Sequence, residues 1–345
     1  MGPICSYKKI KNTIKCNNYF DDIQQFINSN LRTHQRISLN FKSCYLSQEN
    51  VSGIATALSN CQNLQTLILD IESKRICFDR ISILSSGLEQ CTNLQTLIID
   101  IEDCLIQDEG LIKISRSIEK CVAIQQLKLF LRNNGLGPKG ISGLGSSLGK
   151  LKILESLELQ FLGNDQKAEG MTSLGSSLSN CLSLKILDIE MSYNQLNQQA
   201  AQNLGSLVAL LPYLQDLSLS LGLNNIGDDG LSNLAQNISK CITLQYFQLN
   251  LFENNIGSSG VIALGDNLQK CLNLQKLNLT LSNNYISCRG LTNLCSFLVG
   301  ETSLKDLNLN FSNQKEILGE SQDAYLKLEK NSNLENFTLE LKQNH

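Results

Sequence analysis

Histidine, net charge and long apolar runs are all scarce in this chain, and each scarcity removes a class of function. The two histidines, His34 and His345, stand at opposite extremes of the repeats described below, so no imidazole pair can converge on a metal ion. Lys and Arg total 29 against 32 Asp and Glu, a net charge of -3. That balance gives no global basic field of the kind that gathers nucleic acid or anionic membrane. No apolar run approaches the roughly 18 residues that cross a bilayer. The opening "MGPICSYKKIKNTIK" likewise lacks the apolar core of roughly 7 to 15 residues that marks a secretory leader. The expectation is a cytosolic protein, in which thirteen cysteines are reduced thiols rather than a disulfide framework.

What is present is a repeat with a period of 30. Leu64, Leu94, Ile124, Leu154, Leu184, Leu214, Leu244, Leu274, Leu304 and Leu334 open successive units without one insertion or deletion. With that residue as position zero, offsets 3, 5 and 7 are apolar in every unit, from Leu67, Leu69 and Ile71 to Phe337, Leu339 and Leu341. A preceding unit starting at His34 keeps the register, which makes eleven repeat starts, the last a terminal strand. Alternation over these offsets is the period-two signature of a strand with one buried face. From offset 17 the spacing changes to three and four, as in Val261, Leu264 and Leu268, which places an apolar stripe on a helix. Small residues recur at offset 21, among them Ala55, Gly145, Gly205 and Gly265. A glycine inside a helix costs about 1 kcal/mol relative to alanine, so the row predicts close approach of stacked helices.

The pattern LxxLxLxLxxNxI, seen as "LQKLNLTLSNNYI" at 274 to 286 and "LQYFQLNLFENNI" at 244 to 256, resembles the leucine-rich repeat of ribonuclease inhibitor-like proteins over residues 34 to 345. The resemblance implies an α/β solenoid, or horseshoe, of about 30 residues per repeat, with a parallel sheet on the concave face and helices on the convex face. It also implies an asparagine ladder at Asn134, Asn164, Asn194, Asn224, Asn254 and Asn284, with Cys44 and Cys104 in the same slot and breaks at Lys74 and Gln314. An inward-pointing amide there can serve buried backbone groups of two coils at once. The interval before the asparagine is two residues longer than the family's usual one, which predicts a longer strand.

Apparent catalytic motifs dissolve in the same register. "GLGPKG" meets GxGxxG through Gly135, Gly137 and Gly140, but it follows the ladder asparagine, and Gly140 belongs to a row of helix-start glycines. "GLGSSLGK" lacks the first glycine and the Ser/Thr of a phosphate loop, since Leu144 and Leu151 stand there. The cysteines at offset 27, Cys61, Cys91, Cys121, Cys181, Cys241 and Cys271, interchange with Leu151 and Leu211 and so read as a buried apolar slot. No nucleophile with a neighbouring base emerges. The reading is of a protein without catalytic residues, cofactor or metal.

Function is then expected on the strand face turned away from the helices, at offsets 2, 4, 6 and 8. Units one to five place seven acids there, Asp70, Glu72, Asp100, Glu102, Glu158, Asp188 and Glu190, against Lys128 and Arg132. Phe130 beside Arg132, and Tyr246 with Phe252 further along, are the expected exposed anchors. The expected role is a non-catalytic scaffold that binds a protein partner, specifically a basic segment, on the concave face; the acids argue against nucleic acid. The alternative is a regulator of a small GTPase, since the GTPase-activating protein of Ran resembles the same repeat type.

Residues 1–33 are expected to cap the array through an apolar helical stripe of Phe20, Ile23, Phe26 and Ile27. Gly2 and Ser6 meet a loose myristoylation pattern. Pro3 directly after the glycine disfavours it, so lipidation at Gly2 is not expected.

Overall fold

The computed structural model describes residues 16–71, 76, 78–165, 167–300, 303–314, 326 and 328–342, with 167 and 168 by backbone alone. Gly2, Glu72, Lys74 and His345 lie outside the described residues.

Alternating apolar residues become strands wherever one face can be buried. The strands are β1 (Asn18–Phe20), β2 (Arg36–Asn40), β3 (Thr66–Asp70), β4 (Thr96–Asp100), β5 (Gln126–Phe130), β6 (Ser156–Gln160), β7 (Ile186–Glu190), β8 (Asp216–Ser220), β9 (Tyr246–Asn250), β10 (Lys276–Thr280), β11 (Asp306–Asn310) and β12 (Asn336–Glu340). All are parallel and lie in chain order in one open twelve-stranded sheet. From β2 onward each residue pairs with the one thirty later, as Thr66 with Thr96 and Leu277 with Leu307. Between them run the helices α1 (Ile23–Ile27), α2 (Gln48–Asn60), α3 (Phe78–Leu88), α4 (Gln107–Ile118), α5 (Pro138–Leu148), α6 (Lys167–Leu178), α7 (Gln198–Val208), α8 (Gly227–Ile238), α9 (Ser258–Leu268) and α10 (Cys288–Val299). The result is an α/β solenoid of leucine-rich-repeat-like architecture. Its core is one continuous apolar cluster from Phe20 to Leu328, made by the inward strand residues and the helix stripes. No helix among the described residues is long and apolar enough to cross a membrane.

Each strand from β2 to β12 is five residues long, not longer, but pairing runs on beyond it. Phe41 N–H donates to Asp70 O at 2.8 Å, Ile71 N–H to Asp100 O at 2.9 Å and Asp103 N–H to Arg132 O at 2.9 Å. The two extra residues therefore lengthen the hydrogen-bonded column and turn within it.

That turn puts offset 9 in the left-handed region in eight successive units: Asp103, Asn133, Gly163, Tyr193, Leu223, Glu253, Asn283 and Asn313, with φ between 50° and 71°. Side chains other than Gly and Asn pay roughly 1–2 kcal/mol there. The neighbouring ladder bonds hold the backbone regardless. Leu223 is exposed, so its side chain returns little packing. Leu223→Asn is expected to raise stability by about 0.5–1 kcal/mol in urea denaturation; no gain would mean the turn carries no strain at that position.

The ladder explains how the turn is held. Asn164 Oδ1 accepts from Asn134 N–H and Leu136 N–H, both at 3.0 Å, while its Nδ2 donates to Leu131 O at 3.0 Å and Phe161 O at 2.8 Å. Asn224 and Asn284 repeat this pattern across their own coils. Asn254 accepts from Ile226 N–H and donates to Leu221 O, and Asn194 donates to Phe161 O. Cys104 takes over only the donor half, its thiol reaching Ile71 O at 3.6 Å. Gln314 does not break the ladder: its Oε1 accepts from Ile286 N–H at 3.0 Å and its Nε2 donates to Leu281 O at 2.7 Å. A longer amide reaches the same groups.

Between helices, the small-residue row permits near backbone contact. A Cβ on Gly145 in α5 would lie 3.0 Å from Leu174 Cα in α6, and one on Gly87 in α3 would lie 2.6 Å from Ala55 Cα in α2. The offset-27 cysteines are buried and do more than fill an apolar slot. Thiols of Cys91, Cys121 and Cys181 donate to Leu58 O, Leu88 O and Leu148 O, near the end of the preceding helix, at 3.3 to 3.5 Å. Each of these carbonyls also accepts the backbone N–H three residues on, so the thiol adds a second bond that leucine at that slot lacks.

At the N-terminal edge, the residues expected as a helical stripe divide between two elements. Phe20 belongs to β1, which adds a strand to the sheet beside β2, whereas Ile23 and Phe26 lie in the short α1 and are buried. Phe20 packs on Phe26 and on His34, whose ring nitrogens bond Asn18 and Ser29. Burial lowers the His34 pKa below its usual value, so this imidazole is a neutral structural group. At the other edge β12 pairs with β11, and its residues alternate between exposed and half-buried.

Candidate interaction face

Offsets 2, 4, 6 and 8 do face away from the helices, but the N-terminal half of that face is not the open, wet surface that alternation alone implies. Asp70, Asp100 and Phe130 occupy one register position on β3, β4 and β5. They are 0%, 2% and 3% exposed. Phe130 is therefore not an exposed anchor. With Ile68 and Ile98 it forms a second apolar cluster on this face, against which Cys16 packs. The physical reason is that diagonal neighbours on adjacent strands lie within reach of an aromatic ring. Three apolar side chains on adjacent strands bury one another.

The carboxylates beside this cluster are crowded. Lys42, which follows β2, places its Nζ 3.4 Å from Asp70 Oδ1 and 3.8 Å from Asp100 Oδ2. Burial pushes the Asp100 carboxyl up to about 7, helped by the neighbouring charges of Asp70 and Glu102 and opposed by Lys42. Burial likewise raises Glu102, with Arg132 opposing. A second acidic group spans β6 and β7. Glu158 is ion-paired to Lys128 at 2.7 Å and accepts from Gln160, while Glu190 accepts from Ser192 N–H at 2.7 Å. Asp188 is raised to about 6, first by burial and then by Glu158.

The two later anchors stand apart. Tyr246, on β9, is four strands from Phe130, about 19 Å at the usual strand spacing. Its hydroxyl donates to Gln248 at 2.6 Å and accepts from Asn278 at 3.1 Å, and Lys276 Nζ lies 5.8 Å from its ring centroid. Phe252 is half-buried in the turn after β9. The structure thus groups Asp70, Asp100, Glu102, Phe130 and Arg132 at one place, Glu158, Asp188 and Glu190 beside it, and leaves Tyr246 and Phe252 elsewhere.

Two members of the first group were not among the expected site residues. Lys42 sits at offset 8 of the first unit, so extending the face by one repeat finds it. Cys16 lies before the array, where the repeat carries no signal. The described cysteines are all free, and burial raises the thiols of Cys61 to about 11 and of Cys91 and Cys121 to about 12; such thiols stay protonated and unreactive. Among the described residues no group of three or more His, Cys, Asp or Glu side chains is placed to hold a metal ion. Scanned against models of known families the chain matches none, and a search of curated proteins finds no match.

Proposed function

We propose that this chain is a non-catalytic recognition scaffold of the ribonuclease inhibitor-like repeat type, working in the cytosol, whose face over β3 to β7 takes a basic segment of a protein partner. The carrying observation is a charge excess that is partly desolvated. Among the described residues six carboxylates on β3 to β7 and their turns face two bases of the same strands, with Lys42 reaching in from β2. Burial first, and neighbouring acids second, raise the carboxyl pKa of Asp100 and Asp188, so a cation brought close stabilises the ionised forms. A lysine delivered by a ligand supplies a compensating charge. The array holds these groups on strands rather than loops, which suits recognition of an extended segment.

The test is capture from native lysate with mass-spectrometric identification, comparing wild type with a Glu102→Lys/Asp188→Lys variant. Both residues are half-buried, so the reversal should leave the core intact. Recovery of a partner bearing a basic segment is expected to fall about tenfold or more in the variant and to weaken with salt. The same partners in equal yield from both proteins would move the binding site off this face.

A further inference from the structure

We propose that the rim of the solenoid where helices hand over to strands, in the six turns from α4–β5 to α9–β10, docks on the surface of an anionic lipid bilayer. One apolar side chain per turn enters the headgroup region, and lysines beside the row meet the lipid charge. The rim is separate from the acidic strand face, and its role does not rest on the recognition reading.

The turns are residues 119–125, 149–155, 179–185, 209–215, 239–245 and 269–275. Each presents an exposed apolar side chain at offset 28 or 29: Val122, Ile153, Leu182, Tyr213, Ile242 and Leu272, which are 44–74% exposed. Parallel pairing reaches into the turns, since Glu155 N–H donates to Gln125 O and Gln275 N–H to Gln245 O, both at 2.8 Å. The six side chains therefore stand in one row, about 24 Å long at the usual strand spacing. Side chains also staple neighbouring turns: Ser183 Oγ donates to Lys152 O at 3.1 Å and Asn273 Nδ2 to Ile242 O at 2.7 Å. The repeat itself does not require the row. The two preceding turns, 61–65 and 89–95, close on Gln62, Asn63, Thr92 and Asn93 and expose no apolar residue.

Charge follows the same six turns. They hold six lysines against two acids and no arginine, a local excess of four positive charges in a chain whose net charge is -3. Glu119 is paired with Lys150 at 2.7 Å and Glu155 with Lys185 at 3.1 Å. Lys152, Lys240 and Lys270 reach neutral acceptors, Gly149 O, Asn237 Oδ1 and Asn267 Oδ1. The turns at 61–65 and 89–95 have no lysine, so charge and exposed apolar surface begin together. Lysine beside a helix C-terminus is favoured by the helix dipole in any setting; exposed aliphatic side chains beside it are not. The combination selects lipid over protein. Protein interfaces favour aromatic and arginine anchors seated in pockets and are depleted in lysine. This row is five aliphatics and one tyrosine flanked by lysine alone. A bilayer surface takes protruding aliphatic side chains, and nearby lysines gain from anionic headgroups.

Co-sedimentation of the full chain with vesicles tests it, comparing phosphatidylcholine alone with phosphatidylcholine containing about 30% phosphatidylserine. Partitioning at about 0.1 M salt is expected to be about tenfold or more stronger on the anionic vesicles, and about 0.5 M salt should remove most of the difference. Leu182→Ser/Ile242→Ser/Leu272→Ser and Lys120→Gln/Lys240→Gln/Lys270→Gln should each lower it about fivefold or more. All six positions are on the surface turns, so urea midpoints should stay at the wild-type value. Hydrogen exchange of the wild type supplies the readout that needs no variant: vesicles should slow exchange in the six turns and leave 61–65 and 89–95 unchanged. Wild-type protein that stays in the supernatant, or pelleting that neither variant reduces, would overturn the proposal. So would capture of an acidic protein that the lysine variant loses while vesicles are ignored, since the rim would then belong to a protein partner.

Discussion

Asn134→Leu is expected to destabilise the array by about 3–5 kcal/mol, a loss confined to rare mechanisms such as stranded buried polar groups. Asn134 is fully buried. Its Oδ1 accepts from Cys104 N–H at 3.2 Å and Ile106 N–H at 3.3 Å, and its Nδ2 donates to Ile101 O at 2.8 Å and Arg132 O at 3.1 Å. Leucine fills a similar volume, so the lost term is polar: two buried N–H groups and the Ile101 carbonyl are stranded, at about 1–3 kcal/mol for each group left without a partner, while Arg132 O keeps its bond from Asp103 N–H. A carbonyl tolerates this better than a donor, which holds the sum below the additive maximum. The neighbouring Asn133, half-buried, with a side chain that donates to Asp103 and a left-handed backbone, is the internal control; Asn133→Gly, which keeps that backbone available, should cost less than about 1 kcal/mol. Asn194→Leu should cost less than Asn134→Leu, because Asn194 Oδ1 already lacks a hydrogen-bond partner. Urea midpoints for the three variants, with the slope checked for lost cooperativity along the array, decide it. A cost below about 1 kcal/mol for Asn134→Leu would mean that water serves the orphaned groups.

The repeat made most of this legible because each coil poses the same physical problem. Offsets 3, 5 and 7 must face the helices in every unit, so the strands, their register and the core could be read residue by residue. Three features escaped for three different reasons. Gln314 looked like a break because the pattern names asparagine, whereas the backbone asks only for an amide that arrives. The left-handed residue at offset 9 left no pattern, since Tyr193, Leu223 and Glu253 stand where Asn133 and Gly163 show the natural choice; bonds on either side hold the turn whichever residue is there. The burial of Asp70, Asp100 and Phe130 was out of reach for a deeper reason. Alternation tells which side of a sheet a residue faces and says nothing of how side chains on that side bury one another, as Ile68, Ile98 and Phe130 do with Cys16 packed against them.

The same buried acids should make stability fall as pH rises from about 4 to about 7, opposite in sign to an ordinary ion-paired carboxylate. The Asp100 carboxyl is raised from 3.8 to about 7, first by burial, then by Asp70 across the strand pair and Glu102 two residues on, with Lys42 in opposition. Phe130, its partner on β5, is apolar and contributes no charge. Between the unfolded and folded pKa values the folded state holds the extra proton, so the unfolded state gains relative stability with each step up in pH, and the effect levels off above about 7. A shift of about three units corresponds to at most about 4 kcal/mol, and relaxation around the site makes about 2 the working figure. Asp188, raised to about 6, adds with the same sign. Other carboxylates titrate below pH 5, so the informative quantity is the difference between wild type and Asp100→Asn. The variant should be more stable by about 1–3 kcal/mol at pH 8, with the gap closing toward pH 5; parallel profiles would mean that Asp100 is ionised and well solvated. The corollary concerns binding. A lysine brought to this face restores the ionised form and expels the proton, so capture of a basic segment should tighten as pH rises through 7, while Asp100→Asn should lose both the affinity and its pH dependence. A carboxylate that costs stability when empty and repays it when a cation arrives is what distinguishes a binding face from a merely acidic one.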